Sequence, residues 1–186
     1  MKCTKKKLGD ISTIQTGVYE KSSYGGEVAC LQVGDLLPGA TVASAMKVAR
    51  TRRIDNYILR KGDLLFAGKG TTYLCKIFDF DILAVPSTTL YSVRLQTDAA
   101  SPEYLCWYLN HPNIVAEVKR AQSGAGTPLI HKSTLENLKI VLPDKETQKR
   151  IVELSVLQSR EEYLLKTIAE KRSQIVNQIL INELNK

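Results

Sequence analysis

Leu135-Glu136-Asn137-Leu138-Lys139-Ile140-Val141-Leu142-Pro143-Asp144-Lys145-Glu146-Thr147-Gln148-Lys149-Arg150-Ile151 is the stretch on which the fold turns. Pro143 closes one kind of sequence and Asp144 opens another. From Asp144 to Leu184 there is no Gly and no Pro, and strong helix formers dominate. Asp144 suits the N-cap of a helix. With Ile151 at heptad position a, the a/d seam reads Ile151, Leu154, Gln158, Glu161, Leu165, Ile168, Arg172, Ile175, Ile179 and Asn182. Six of these ten are apolar, and Leu157, Leu164 and Val176 widen the stripe. The pattern predicts a single long helix over residues 144–186. About 40 residues at a rise of about 1.5 Å make a rod of about 60 Å. That is more than a neighbouring domain of this size covers, so part of the apolar face calls for another helix. A helix folded back on its own domain is the alternative.

Upstream, residues 1–143 have the texture of a mixed α/β domain. Strands are predicted at Val28–Val33, Asp63–Ala67, Thr72–Ile77, Ile82–Val85 and Thr89–Val93. Gly25-Gly26, Pro38-Gly39, Lys61-Gly62 and Gly68-Lys69-Gly70 separate them as turns. Ser101 as N-cap and Pro102 in the first turn start a helix that runs to about Gln122, with Pro112 kinking or dividing it. Ser123-Gly124-Ala125-Gly126-Thr127-Pro128 ends it. The fold class is therefore α+β: a mixed α/β domain followed by one long coiled-coil-type helix.

The chain has 186 residues, of which 44% are hydrophobic and 24% charged, the balance of a folded globular protein. No apolar run reaches the ~20 residues of a membrane span. The basic start, Met1-Lys2-Cys3-Thr4-Lys5-Lys6-Lys7, lacks the apolar core of a secretory signal, so a cytoplasmic location is expected. Lys5-Lys6-Lys7 reads as a solvated tail. The four cysteines stand 27, 45 and 31 residues apart, without the close pairs of a zinc site, and read as buried free thiols. Residues 1–143 carry 18 basic and 12 acidic side chains, against 8 and 7 in residues 144–186. The positive excess thus lies in the first region, where a polyanion would be met.

Several catalytic readings fail on spacing. A phosphate loop around Lys69 needs Gly at position 63 and Ser or Thr at position 70, where Asp63 and Gly70 stand. Asp144 and Glu146 are too close, at a helix start, to be carboxylates from two strands sharing Mg²⁺. Asp79 and Asp81 lack a third ligand and read as turn residues. No S-adenosylmethionine loop, Asn/Asp-Pro-Pro-aromatic motif or nucleophile signature is present. Neither a catalytic residue nor a metal site is assigned.

The segment Gln122–Ile130, then Leu135–Pro143, then Glu146–Ile151 closely resembles the end of a target recognition domain and the start of the long helix in DNA specificity subunits of Type I restriction–modification systems. Lys7-Leu8-Gly9-Asp10-Ile11 with Gly17 resembles that family's opening strand and turn, and Lys61-Gly62-Asp63 through Gly70 its central segment. Members usually carry two recognition domains and two long helices. This chain has one of each and looks like a half-subunit.

The resemblance implies a non-catalytic specificity subunit that binds double-stranded DNA half-sites. Residues 1–143 would be the target recognition domain, and residues 144–186 the helix for dimerisation, spacing and subunit docking. It further implies DNA methyltransferase subunits as partners, which would bind S-adenosylmethionine and flip the target base. It allows a restriction or translocase subunit as well, and a second copy of the chain. No cofactor is expected on the chain itself. Candidate DNA-contacting residues are Lys21 and Tyr24 in a polar loop, Arg50, Arg52 and Arg53 in the densest basic group, and Lys69, Thr71 and Thr72 in a Gly-bounded turn. Ser123, Thr127, His131 and Lys132 flank another loop and belong either to DNA contact or to the family's frame. Helix candidates are Ile151, Leu154, Leu164, Leu165, Ile168, Ile175 and Ile179. Two other classes stay open: a stand-alone dimeric DNA-binding regulator, and a structural interaction protein with no DNA role.

Overall fold

The computed structural model describes residues 3–122 and 128–184. The chain forms two units, Met1–Gln148 and Lys149–Lys186. The first is a mixed α/β unit with three small sheets; the second is helical. Among the described residues no helix is long and apolar enough to cross a membrane.

Strands β1 (Thr4–Lys7) and β9 (Lys139–Leu142) pair antiparallel, Thr4 opposite Leu142 and Lys7 opposite Lys139. Lys5-Lys6-Lys7 is therefore a paired strand, not a loose tail. The turn that follows, α1 (Leu8–Ile11), is helical where the sequence reading placed a strand. The reason is local: Leu8 and Ile11, three apart, both point into the core, and the Asp10 carboxylate accepts the Lys7 N–H at 3.3 Å.

The second sheet is antiparallel throughout, in the order β2 (Ser12–Thr16), β8 (Leu90–Leu95), β5 (Leu64–Ala67), β6 (Cys75–Ile77). The third places β3 (Val28–Leu31) between antiparallel β4 (Met46–Val48) and parallel β7 (Ala84–Pro86). All five predicted strands form; β3, β5 and β6 are shorter than expected, while β7 and β8 start later and run on to Pro86 and Leu95. Thr72 stays outside its strand because pairing begins only at Cys75. One core cluster joins the second and third sheets through Ala29, Leu31, Leu65, Phe78 and Leu90. Another lies under the third sheet, with Val28, Val48, Ile54 and Val85.

Pro112 divides the predicted helix in two: α3 (Pro102–Asn110) and α4 (Pro112–Arg120). Ser101 Oγ accepts the Tyr104 N–H at 3.1 Å, as an N-cap should. His111 closes α3 and opens α4 in an extended conformation, because a residue before proline is disfavoured in the helical region. The expected stop at Ser123–Thr127 lies outside the described residues. A short helix, α5 (Lys132–Asn137), leads into β9. Cys30 and Cys75 are buried and Cys106 partly so, but Cys3 is exposed on the edge of the first sheet, contrary to the expectation of buried thiols.

The long helix α6 runs from Lys145 to Leu184. Asp144 caps it, Oδ1 accepting the Thr147 N–H at 2.8 Å. Its first turn belongs to the first unit and is held there by Gln148, only 1% exposed. Gln148 Nε2 donates to Ala99 O at 2.7 Å and Pro143 O at 2.9 Å, while Oε1 accepts the Ser101 N–H at 3.0 Å. Both N–H groups and the oxygen of the side-chain amide are thus satisfied by backbone. Within the second unit, large apolar side chains from Leu154 to Leu184 are between 43% and 85% exposed.

Candidate nucleic-acid interface

The candidate residues fall into two groups in the first unit. The segment between β2 and β3 carries Lys21 and Tyr24, both exposed, Tyr24 fully so. Ser23 N–H donates to Lys47 O at 2.9 Å, which fastens this segment to β4. Beyond β4, Thr51 Oγ1 accepts the Ile54 N–H at 3.3 Å and starts a short helix, α2 (Arg52–Asp55). Buried Ile54 anchors that turn, leaving Arg50, Arg52 and Arg53 on the outside. Arg50 Nε meets Asp55 Oδ1 at 2.7 Å, and Arg53 meets Glu20 at 3.4 Å. The Asp55 hydrogen bond and charge push the Arg50 guanidinium further above its ordinary range. The Arg53–Glu20 pair brings the two loops side by side. Arg52 is the one of the three arginines without a carboxylate partner among the described residues.

The second group is built on the β5–β6 connection. Lys69, Thr71 and Thr72 are exposed there, and Lys69 bridges to Leu129. Gly70 N–H donates to Pro128 O and Ile130 N–H to Gly68 O, each at 2.9 Å. Gly68 is obligatory on space: a Cβ there would lie 2.3 Å from the Tyr91 ring. This is a close-packed hairpin, not a phosphate cradle. His131 and Lys132 follow at the start of α5, where Lys132 pairs with Glu136 at 3.4 Å. Lys119, on α4, sits 4.5 Å above the Tyr73 ring, and the Tyr73 hydroxyl bonds Gln122. Ser123 and Thr127 lie outside the described residues.

The Pro86–Thr89 turn joins the groups. On one side Val18 N–H donates to Pro86 O at 2.9 Å; on the other Gly68 N–H donates to Thr89 O at 2.9 Å. Between the Val18–Ser22 segment and Ser87–Thr89 lies a groove of about 420 Å³, with Cys30, Gln32 and Met46 also lining it. Burial first, then the Asp35 and Glu20 carboxylates, raise the Cys30 thiol above its ordinary range. Sequence reasoning did not single out Gln32, Thr88, Glu20 or Tyr19. Gln32 follows a strand whose apolar run drew the attention, and Thr88 lies in a turn with no motif. Among the described residues no group of three His, Cys, Asp or Glu side chains is placed to hold a metal ion.

The family profile described as "Type I restriction modification DNA specificity domain" matches residues 2–175. The chain belongs to that family. No curated protein matches it. Solved structures with the same fold include the Type-I restriction-modification system S subunit from M. genitalium (18% identity, TM-score 0.57, covering 92% of this chain and 43% of that one). The HsdS subunit from Thermoanaerobacter tengcongensis is similar at 22% identity and TM-score 0.64, over 85% of this chain and 38% of its own. A chain from a structure described as the basis of complex assembly and conformational transition of the type I R-M system gives 21% identity and TM-score 0.67, over 92% and 42%. The specificity-domain chain thus spans about two-fifths of the length of the structures it matches.

Proposed function

We propose that this chain is a DNA-specificity component of a Type I restriction–modification complex, reading one half of a target site in double-stranded DNA. The family match over residues 2–175 carries the reading. It is supported by two loop groups of cations and hydroxyls held on a rigid turn, the arrangement expected where phosphate contacts set register and side chains reach base edges. Lys21, Arg50, Arg52, Arg53 and Lys69 are the phosphate or guanine candidates. Tyr24, Thr71, Thr72, His131 and Lys132 complete the set, together with Ser123 and Thr127. The chain acts without catalysis of its own. Modification subunits bind S-adenosylmethionine, flip the adenine and methylate it.

Residues from Ile151 onward supply the second half of the proposal. The exposed stripe of Leu154, Leu164, Leu165, Ile168, Ile175 and Ile179 pairs with the same stripe of a second copy. Two readers related by a two-fold axis then select an interrupted palindrome. Mapping of N6-methyladenine across the host genome, with and without this gene, tests both halves. The expected result is a methylated, gapped palindrome that disappears on deletion. A gapped asymmetric target would replace the second copy by a different reader, and an unchanged methylation map would overturn the role.

A further inference from the structure

The first sheet collects positive charge that the reading loops do not use. Lys5, Lys6, Lys7 and Lys139 surround a groove of about 430 Å³, with Asp10 as the remaining lining residue. The strand register sets Lys7 directly opposite Lys139, an arrangement that costs stability, because like charges across a strand pair repel. Little of this charge is neutralised internally. Lys7 Nζ donates to the neutral Asn137 Oδ1 at 2.9 Å, and Asp10 is engaged with the Lys7 backbone. Among the described residues no ion pair involves Lys5, Lys6 or Lys139.

We propose that this lysine groove is a sequence-independent contact to the phosphates of duplex DNA, separate from the loops that read bases. It rests on the reading that the chain binds duplex DNA. Two features favour a nucleic acid over an acidic protein surface. None of the large exposed apolar side chains lies on β1, α1 or β9, so the patch lacks the apolar anchors on which protein interfaces depend. Its cations are all lysine, which is depleted in protein interfaces but serves phosphate well as a point charge. Strand pairing also holds the Lys5, Lys6 and Lys139 backbones in place, so a polyanion meets a preformed row rather than a tail it must order.

The test is the salt dependence of binding by the full chain to a duplex of arbitrary sequence, between about 50 and 200 mM salt. The variant Lys5→Gln/Lys6→Gln/Lys139→Gln should flatten the log–log slope by about 2.7, at about 0.9 per lost phosphate contact, and select the same target as the wild type. The charge-keeping set Lys5→Arg/Lys6→Arg/Lys139→Arg should keep the wild-type slope. Equal slopes for the Gln variant and wild type overturn the proposal, including a case where the Gln variant loses modification subunits instead. A loss shared by the Gln and Arg sets also overturns it, since charge would not be the cause. Failure of the target-reading role registers separately: selection with wild-type chain recovers no preferred sequence, while the slope comparison still reports on the lysines. Absence of any duplex binding by the wild-type chain overturns the lysine contact directly.

Discussion

Asp63 shows how a residue in a family-like motif can be structural. It is 2% exposed and forms a two-point pair with Arg94, Nε to Oδ1 at 2.7 Å and Nη2 to Oδ2 at 2.5 Å. Its Oδ2 also accepts the Arg60 N–H at 2.8 Å, closing the turn into β5. Replacing Asp63 with Ala strands the arginine. Fully buried pairs lose about 3–5 kcal/mol in such changes. Arg94 keeps a third of its surface in water, so we expect about 2 kcal/mol, measured by denaturant unfolding. Gln148→Ala orphans two carbonyls and one N–H at the foot of α6 and should cost about 2–4 kcal/mol in the same assay. Among the reading candidates, Arg52→Ala should weaken target binding at least about tenfold, whereas Arg50→Ala, whose side chain is held by Asp55, should do less. Titration of DNA affinity by competition would separate them. Tyr104 gives a pH prediction. Burial first, then the neighbouring Tyr108 and Cys3, push its hydroxyl up to about 12, and that hydroxyl donates to Val141 O at 2.7 Å. Unfolded tyrosine ionises near about 10. The stabilisation is therefore complete below about pH 10 and is lost as pH rises towards 12. Unfolding free energy measured between pH 9 and about 12 should fall more steeply for the wild type than for Tyr104→Phe.

Helices α3 and α4 were legible as one pattern with an interruption, and the interruption could be read because proline acts locally on its own neighbours. Of the two outcomes, kink or break, the break is the one found, with His111 extended between the two helices. Helix α6 was legible almost to its ends for the same local reason: cap, composition and period all lie within one segment. The strand β1 was not. Thr4-Lys5-Lys6-Lys7 has no apolar alternation, since all four side chains face water, and only pairing with residues more than a hundred positions away makes it a strand. The short turn Arg52–Asp55 was hidden likewise, because four residues carry too little periodicity to register. At this scale the long helix makes its own prediction. Leu165→Asp with Ile168→Asp places charge on the proposed seam and should convert a dimer to a monomer, with the first unit still folded. Sedimentation velocity reads the first outcome, and retention of the wild-type unfolding transition for residues 3–148 reads the second. A monomeric wild type would sink the pairing.

Across the whole molecule, the class of fold could be read from sequence, whereas the candidate site could be read only as scattered loops. The loops become neighbours through contacts that no local pattern announces: Arg53 with Glu20, Ser23 with Lys47, and Gly68 with Thr89. The groove between them, and Gln32 and Thr88 within it, follow from a parallel pairing of β3 with β7 across more than fifty residues. One feature of the architecture reaches further than binding. Because Thr4 sits opposite Leu142, the first and last strands of the first unit form a single two-stranded ribbon. A replacement for the residues between those two positions has to zip the same ribbon and to offer Gln148 the backbone that Ala99 and Ser101 supply. On the proposed function, a swap of residues 8–138 that meets both conditions should change the methylated sequence while keeping the helix beyond Asp144 folded.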